Sequence, residues 1–339
     1  MKDEVRAFIE RTARDGPDPV GFAALALELY AWQVKRNPDY AAIAGDARPR
    51  SPQEIPAVPV PLFRALPLTC FNDRHALYLF HTSGTTAERP GIHRLQNSDL
   101  YDLSAKRWFQ SCVPDAPEQC LALIPSRVIA PHSSLSHMVG MFYPKARHFI
   151  DRTGRLRAQE MWYELEGARS PHFIASTAFA LMEFLEHPSR RDVQVPEGSV
   201  LMITGGFKGR RVELSMSDLH ARARQAFGPG VQIVGEYGMT ELSSQLWRLD
   251  EAPYAPPPWM MVYAVAPATG NAVRPGQAGQ LRFVDLANHQ TVMAIETLDR
   301  GRVLQDGRVE LLGRLEGAPA RGCSLTREDA VLAAQASEE

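Results

Sequence analysis

Residues 200–241 read VLMITGGFKGRRVELSMSDLHARARQAFGPGVQIVGEYGMTE, and they decide the fold. Two short apolar runs, VLMI and VQIV, each stop at small residues, TGG and GEYG. Between them VELSMSDLHARARQAFG has helical apolar spacing and a terminal glycine. Strand, small-residue loop, helix, strand is the pattern of an α/β sheet with parallel strands. Two more runs of this kind lie upstream, ALYLF before HTSG and CLALI before PSR. In such sheets ligands bind beyond the carboxyl ends of the strands, so the loops HTSGTT, TGGFKG and GEYGMTE are expected to share a cleft.

Outward from this core the texture changes twice. Asp18 followed by Pro19 is a helix start, and Phe22, Leu25, Leu29 and Trp32 recur at helical spacing until Asn37-Pro38 ends the run. Residues 1–50 are therefore read as a helical N-terminal segment. SPQEIPAVPVPLFRALPL carries too many prolines for a helix and should run extended. Residues 51–252 form the α/β core. From Pro253 the sequence is proline-rich, then alternating, as in GQLRFVDL and RVELLGR, with a turn signal at Asp306-Gly307. Residues 253–315 are read as a small β-rich subdomain and 316–339 as a short tail.

The whole chain has 339 residues, 45% apolar and 22% charged, the make-up of a globular protein with a sizeable core. Its 37 basic and 39 acidic side chains leave no electrostatic footprint for nucleic acid or an anionic membrane. The N-terminus MKDEVRAFIERTARDG has no apolar core of a leader, and no long apolar run follows, so a cytoplasmic protein is expected. Cys70, Cys112, Cys120 and Cys323 are far apart and form no C-x-x-C pair, which argues against a zinc ribbon or dithiol site. The first three lie in apolar stretches and are read as inert free thiols. His132 and His137 lack a third ligand nearby, and zinc is not invoked.

Thr82, Ser83, Gly84, Thr85 and Thr86 concentrate hydroxyls around a glycine. Backbone N–H groups and hydroxyls in such a loop suit phosphate oxygens, although a polar turn between two elements has the same composition. The sequence has no G-x-x-x-x-G-K-[ST], and no G-x-G-x-x-G opens a helix after a strand. A different nucleotide chemistry is required.

HTSGTT, VGEYGMTE at 234–241, TLD at 297–299 and LLGR at 311–314 resemble, in order and approximate spacing, the signature motifs of the adenylate-forming enzymes. Within that superfamily the chain looks most like the acyl-protein synthetases, the long-chain fatty acid:protein ligases of LuxE type. IPAVPVPLF, SSLSHMVG, STAFALMEFLE, TGGFKGR, EYGMTELSSQ and RGCSLT carry that resemblance. It implies an α/β fold, the large N-terminal domain of adenylate-forming enzymes with a small β subdomain, and residues 51–252 as its adenylation core.

The resemblance also implies roles. Thr82, Ser83, Gly84, Thr85 and Thr86 would cradle the β- and γ-phosphates of ATP. Gly205, Gly206 and Lys208 would line the nucleotide cleft with Glu236, Tyr237, Gly238 and Met239, the tyrosine packing on adenine. Thr240 would touch the α-phosphate, and Glu241 would hold Mg2+, a hard cation content with few carboxylates plus phosphate oxygens. Asp299 would accept from the ribose hydroxyls and Arg314 would close over them; a surface salt bridge is the competing reading for either. Ser134 and His137 would face the carboxylate of the acid. The phosphate loop departs from the family form at Ala87 and Pro90, leaving Arg89 or Arg94 to supply the missing charge, and Leu298 stands where a glycine is usual.

The chain stops 25 residues after Arg314, which is read as absence or a vestige of the usual C-terminal lid and its lysine. The tail holds Cys323 after Arg321 and Gly322, where a guanidinium lowers a thiol's pKa and favours the thiolate. The resemblance implies that Cys323 takes the acyl group from an acyl-adenylate and hands it to a partner acyl reductase or acyl-transfer protein. The substrate would be a small carboxylic acid, fatty or aromatic. Two alternatives stand beside this: a CoA or carrier-protein ligase in which Cys323 is idle, and a non-catalytic subunit that binds acyl groups or nucleotides.

Overall fold

The computed structural model describes residues 1–82, 89–206 and 215–315. They divide into two compact units. One gathers Met1–Ser111, Gly238–Leu246 and the described residues from Pro253 on; the other holds Cys112–Tyr237 and Trp247–Ala252.

The first unit begins with three helices, α1 (Lys2–Asp15), α2 (Pro19–Val34) and α3 (Pro38–Ala44). Both X-Pro pairs start helices. Asp18 caps α2 by accepting from the Gly21 N–H at 2.9 Å, and Asn37 caps α3 by accepting from that of Tyr40 at 2.9 Å. Asn37-Pro38 thus ends one helix and opens the next. The proline-rich stretch that follows forms short 3₁₀ turns around β1 (Val58–Pro59).

ALYLF supplies β2 (Tyr78–His81), but not as a parallel strand of the main sheet. It pairs antiparallel with β3 (Ile92–Leu95) in a separate two-stranded ribbon. Residues 82–91 are too few for the crossover that a parallel partner needs. The loop is closed at its base, where the Thr82 N–H donates to the Gly91 carbonyl and the Gly91 N–H donates to Thr82 Oγ1, both at 2.8 Å. Helix α4 (Asp99–Cys112) completes this part.

The second unit alternates β4 (Gln119–Leu123), α5 (Ser134–Phe142), β5 (Arg147–His148), α6 (Ala158–Gly167), β6 (His172–Thr177), α7 (Ala178–Glu186), β7 (Val200–Thr204), α8 (Met216–Phe227), β8 (Gln232–Tyr237) and β9 (Leu246–Leu249). The sheet order is β5-β4-β6-β7-β8-β9, and β5, β4, β6, β7 and β8 are parallel. Strands β6 and β7 are buried along their whole length, as parallel strands covered on both faces must be. Leu121, Ile174, Leu201 and Ile233 meet Trp162, Phe184 and Phe227 from the helices, with Trp162 stacked on Phe184 at 4.1 Å. Ser215 and Asp218 form a reciprocal capping box at the start of α8, and Gly228 ends it at φ +93°.

Back in the first unit, β10 (Met260–Val265), β11 (Ala278–Asp285) and β12 (Ala294–Val303) form an antiparallel sheet, and β12 also pairs with β13 (Val309–Arg314), antiparallel, and with β1, parallel. The β12–β13 hairpin turns at Asp306-Gly307, where Gly307 adopts φ +81°. Its N–H donates to the Leu304 carbonyl at 3.0 Å.

Candidate active site

In the second unit the predicted residues gather at strand ends. β7 runs out at Thr204 into Gly205 and Gly206, and β8 runs out at Glu236 and Tyr237; Thr204 and Glu236 are register partners. Gly205 sits at φ +73°, a conformation that L side chains rarely adopt, and a Cβ on Gly206 would meet open space. The Thr204 hydroxyl donates to the Glu236 carboxyl group. Glu236 is 4% exposed, and burial pushes its pKa up to about 7 although the Thr204 hydrogen bond opposes this. Ser134 is the first residue of α5 and His137 lies buried within it; Ser133 caps the helix by accepting from the Ser136 N–H at 3.1 Å.

The motif passes into the first unit after Tyr237. It is accessible only over Tyr237, Gly238, Met239 and Thr240, between a buried Glu236 and a buried Glu241. Two side chains hold this turn by its carbonyls. His93 Nδ1 lies 2.7 Å from the Thr240 carbonyl, and Asn288 Nδ2 donates to the Glu241 carbonyl at 2.8 Å. A carbonyl only accepts, so His93 carries its proton on Nδ1 and receives the Thr291 hydroxyl on Nε2 at 3.1 Å. Complete burial keeps that ring neutral, pushing its pKa down to about 4. The Thr240 hydroxyl donates to the His81 carbonyl at 3.2 Å, beside Thr82 at the base of its loop.

Asp285, at the end of β11, underpins the residues that follow. It accepts from the Ser243 N–H at 3.0 Å, the Ser244 hydroxyl at 2.7 Å and the Ala287 N–H at 3.0 Å. Burial raises its pKa to about 6 against these donors. Asp299 and Arg314 face each other across β12 and β13, 4.0 Å apart and largely buried. The two residues expected to hold a ribose are therefore neighbours, in a pair that also serves the salt-bridge reading.

Ser83, Gly84, Thr85, Thr86, Lys208 and Cys323 lie outside the described residues. The other three cysteines are free, and burial pushes the Cys70 and Cys112 thiols up to about 12 and Cys120 higher still. Burial that keeps these thiols protonated fits the reading of them as unreactive. Among the described residues no three histidine, cysteine or acidic side chains cluster as a metal cage. Glu241 offers a single hard carboxylate, which fits a magnesium ion that keeps phosphate oxygens and waters.

Sequence reading missed His93, Asp285, Asn288 and Thr204. Only Thr204 stood beside a recognised motif, in TGG. The others become visible through partners 41 to 198 positions away.

No protein-family model matches the sequence, and no curated protein does either. Solved structures do match. A 2-hydroxyisobutyryl-CoA ligase, in an open conformation with 2-HIB-AMP and CoA, superposes with TM-score 0.70 at 12% identity, over 91% of this chain and 78% of that one. ATP-bound MatB from Rhodopseudomonas palustris gives 0.51 at 16% identity, over 72% of this chain and 49% of its own. The luciferase-like enzyme of the nonluminescent mealworm Zophobas morio gives 0.51 at 16% identity, over 73% and 60%. The chain thus spans about half the length of MatB. At these identities the likeness is one of fold: the chain shares the α/β fold of these ligases and of the luciferase-like enzyme.

Proposed function

We propose that the chain activates a small carboxylic acid with ATP as an acyl-adenylate, in the cytoplasm, and passes the acyl group to a thiol, Cys323 first and a partner protein's acceptor next. One observation carries the reading. The GEYGMTE run emerges at Tyr237–Thr240 from buried flanks, with its carbonyls pinned by His93 and Asn288. In a fold whose solved examples hold ATP and an acyl-AMP, that is a rigid strip prepared for a nucleotide.

In this reading the Tyr237 ring lies against adenine, beside the glycines at Gly205 and Gly206. Asp299 accepts from the ribose hydroxyls while Arg314 covers them. The Thr240 hydroxyl turns its proton from the His81 carbonyl to the α-phosphate, where negative charge develops. Thr82, Ser83, Gly84, Thr85 and Thr86 donate to the outer phosphates, and Lys208 adds its charge. Glu241 would hold magnesium, which would supply positive charge against the departing pyrophosphate. Ser134 and His137 orient the acid so that its carboxylate oxygen attacks the α-phosphorus and pyrophosphate leaves. The Cys323 thiolate then attacks the acyl carbonyl, AMP leaves, and a thioester stores the acyl group.

Direct transfer to CoA is the second reading, favoured by the CoA bound in the ligase of highest TM-score cited above. The test is incubation with ATP, magnesium and a panel of radiolabelled carboxylic acids, followed by denaturing electrophoresis and hydroxylamine, for wild type and Cys323→Ala. A hydroxylamine-labile label on wild type alone supports self-acylation at Cys323. Acid-dependent AMP without protein label supports the CoA or carrier reading, and absence of both across the panel supports a non-catalytic subunit.

A further inference from the structure

Resting on the nucleotide reading above, we propose that Asn288 is a positioning residue for the Thr240–Glu241 turn and that Gln33 of α2 fixes Asn288 from behind. The N-terminal helices, which carry no recognised motif, are thereby wired to the turn.

Asn288 is fully buried, and both ends of its amide are hydrogen-bonded. Nδ2 donates to the carbonyls of Glu241 at 2.8 Å and Val292 at 3.2 Å, while Oδ1 accepts from the Ser243 hydroxyl. Two carbonyl partners fix which end of the amide is nitrogen. Gln33, also fully buried, donates from Nε2 to the Asn288 carbonyl at 2.8 Å and the His289 carbonyl at 3.2 Å, and its Oε1 accepts from the Met293 N–H at 3.1 Å. From the other side Trp259 Nε1 donates to Ser104 at 2.8 Å, Ser104 meets Ser244 at 2.7 Å, and Ser244 donates to Asp285. Every donor in this chain points toward one carboxylate, so each hydrogen bond polarises the next.

Two facts separate positioning from bulk stability. The peptide unit is planar, so holding the Glu241 carbonyl fixes the peptide plane leaving Glu241 and narrows the directions open to its carboxylate. Moreover, stability and positioning have different readouts: loss of these amides leaves backbone carbonyls unpaired and lowers stability, as any core truncation does, but only a positioning role also changes ligand affinity. What amides supply and methyl groups do not is a single register between α2, the 285–293 loop and the 240–244 turn.

The test uses the full chain as wild type, Asn288→Asp, Gln33→Met and Ile9→Ala, the last a buried site in α1 away from the network. Asn288→Asp keeps shape but removes both donors; Gln33→Met keeps volume and removes all three hydrogen bonds. For each protein the melting temperature, the equilibrium affinity for MgATP and the KM for the acid in pyrophosphate release are measured. The expected result is a loss of about tenfold in MgATP affinity for Asn288→Asp and about threefold for Gln33→Met, with the KM for the acid unchanged. Ile9→Ala should lower the melting temperature and leave MgATP affinity alone. Should Asn288→Asp not fold, Gln33→Met decides. Variants that melt early like Ile9→Ala yet bind MgATP as wild type does overturn the assignment. A wild type that binds no MgATP overturns the functional reading and this assignment together.

Discussion

Replacing Glu236 by Gln should make the protein more stable than wild type at alkaline pH and nearly equal to it in acid. Glu236 is enclosed at the end of β8, where it accepts from the Thr204 hydroxyl, and burial lifts its pKa from 4.5 to about 7. Because the folded pKa is raised, the native state holds the proton longer than the unfolded chain. Stability therefore falls as pH rises from the unfolded value through the folded one, and the full cost is present above it. A shift from 4.5 to about 7 corresponds to about 3 kcal/mol in total, most of it appearing between pH 5 and pH 8. Gln is close to the protonated carboxyl in shape, still accepts from Thr204 and carries no charge at any pH. The assay is urea unfolding of wild type and Glu236→Gln at intervals over that range, read as the difference between the two. Asp285, His93 and His289 also titrate from shifted values, but they are common to both proteins and cancel. A difference that stays flat with pH would refute the reasoning, and one of opposite slope would mean that a cation stabilises the ionised carboxylate.

His93→Ala should cost about 2–3 kcal/mol at pH 7, since it strips partners from the Thr240 carbonyl and the buried Thr291 hydroxyl, and the cost should shrink as pH falls from 6.5 toward 4. In that window the unfolded wild-type chain takes up a proton that the buried ring refuses, a penalty alanine escapes; chemical denaturation at pH 5 and pH 7 measures both. Alkylation of the native protein by iodoacetamide at pH 8, followed by peptide mapping, should spare Cys70, Cys112 and Cys120, whose thiols burial keeps protonated, and mark Cys323.

Much of the fold was legible because it is local. Asp18-Pro19 specifies a helix start within four residues, and the β7–α8–β8 unit shows its strands, helical spacing and closing glycine in order, whereas Asn37-Pro38, read as an end, also opens α3. Asp306-Gly307 announces its hairpin for the same reason. ALYLF was different. An apolar run of that length says strand without saying whose neighbour, and what sent β2 to β3 was the short return through Thr82 and Gly91. The site divides along the same line. Tyr237 to Glu241 and the glycines after β7 form contiguous runs, whereas DLANHQ looks like any polar connection. Asp285 and Asn288 become informative only once folding brings Ser243, Ser244 and the Glu241 carbonyl against them.

The division of the chain after Tyr237 has a consequence for how the protein is made. Residues 112–237 supply nearly all of the second unit, and its parallel strands and covering helices are complete in one uninterrupted passage from the ribosome. The first unit is begun at residue 1 and interrupted after Ser111; Gln33 then waits some 255 positions for Asn288. Domains emerging in order tend to fold as units, so the inserted sheet is free to form while the three N-terminal helices still lack β10 to β13. The segment Gly238–Leu246 arrives next, already tethered to a folded β8, and its partners Asp285 and Asn288 follow it out. The turn from Gly238 to Glu241 would then follow an early-folding passage and wait for Asp285 and Asn288, so its geometry would be among the last things the nascent chain acquires.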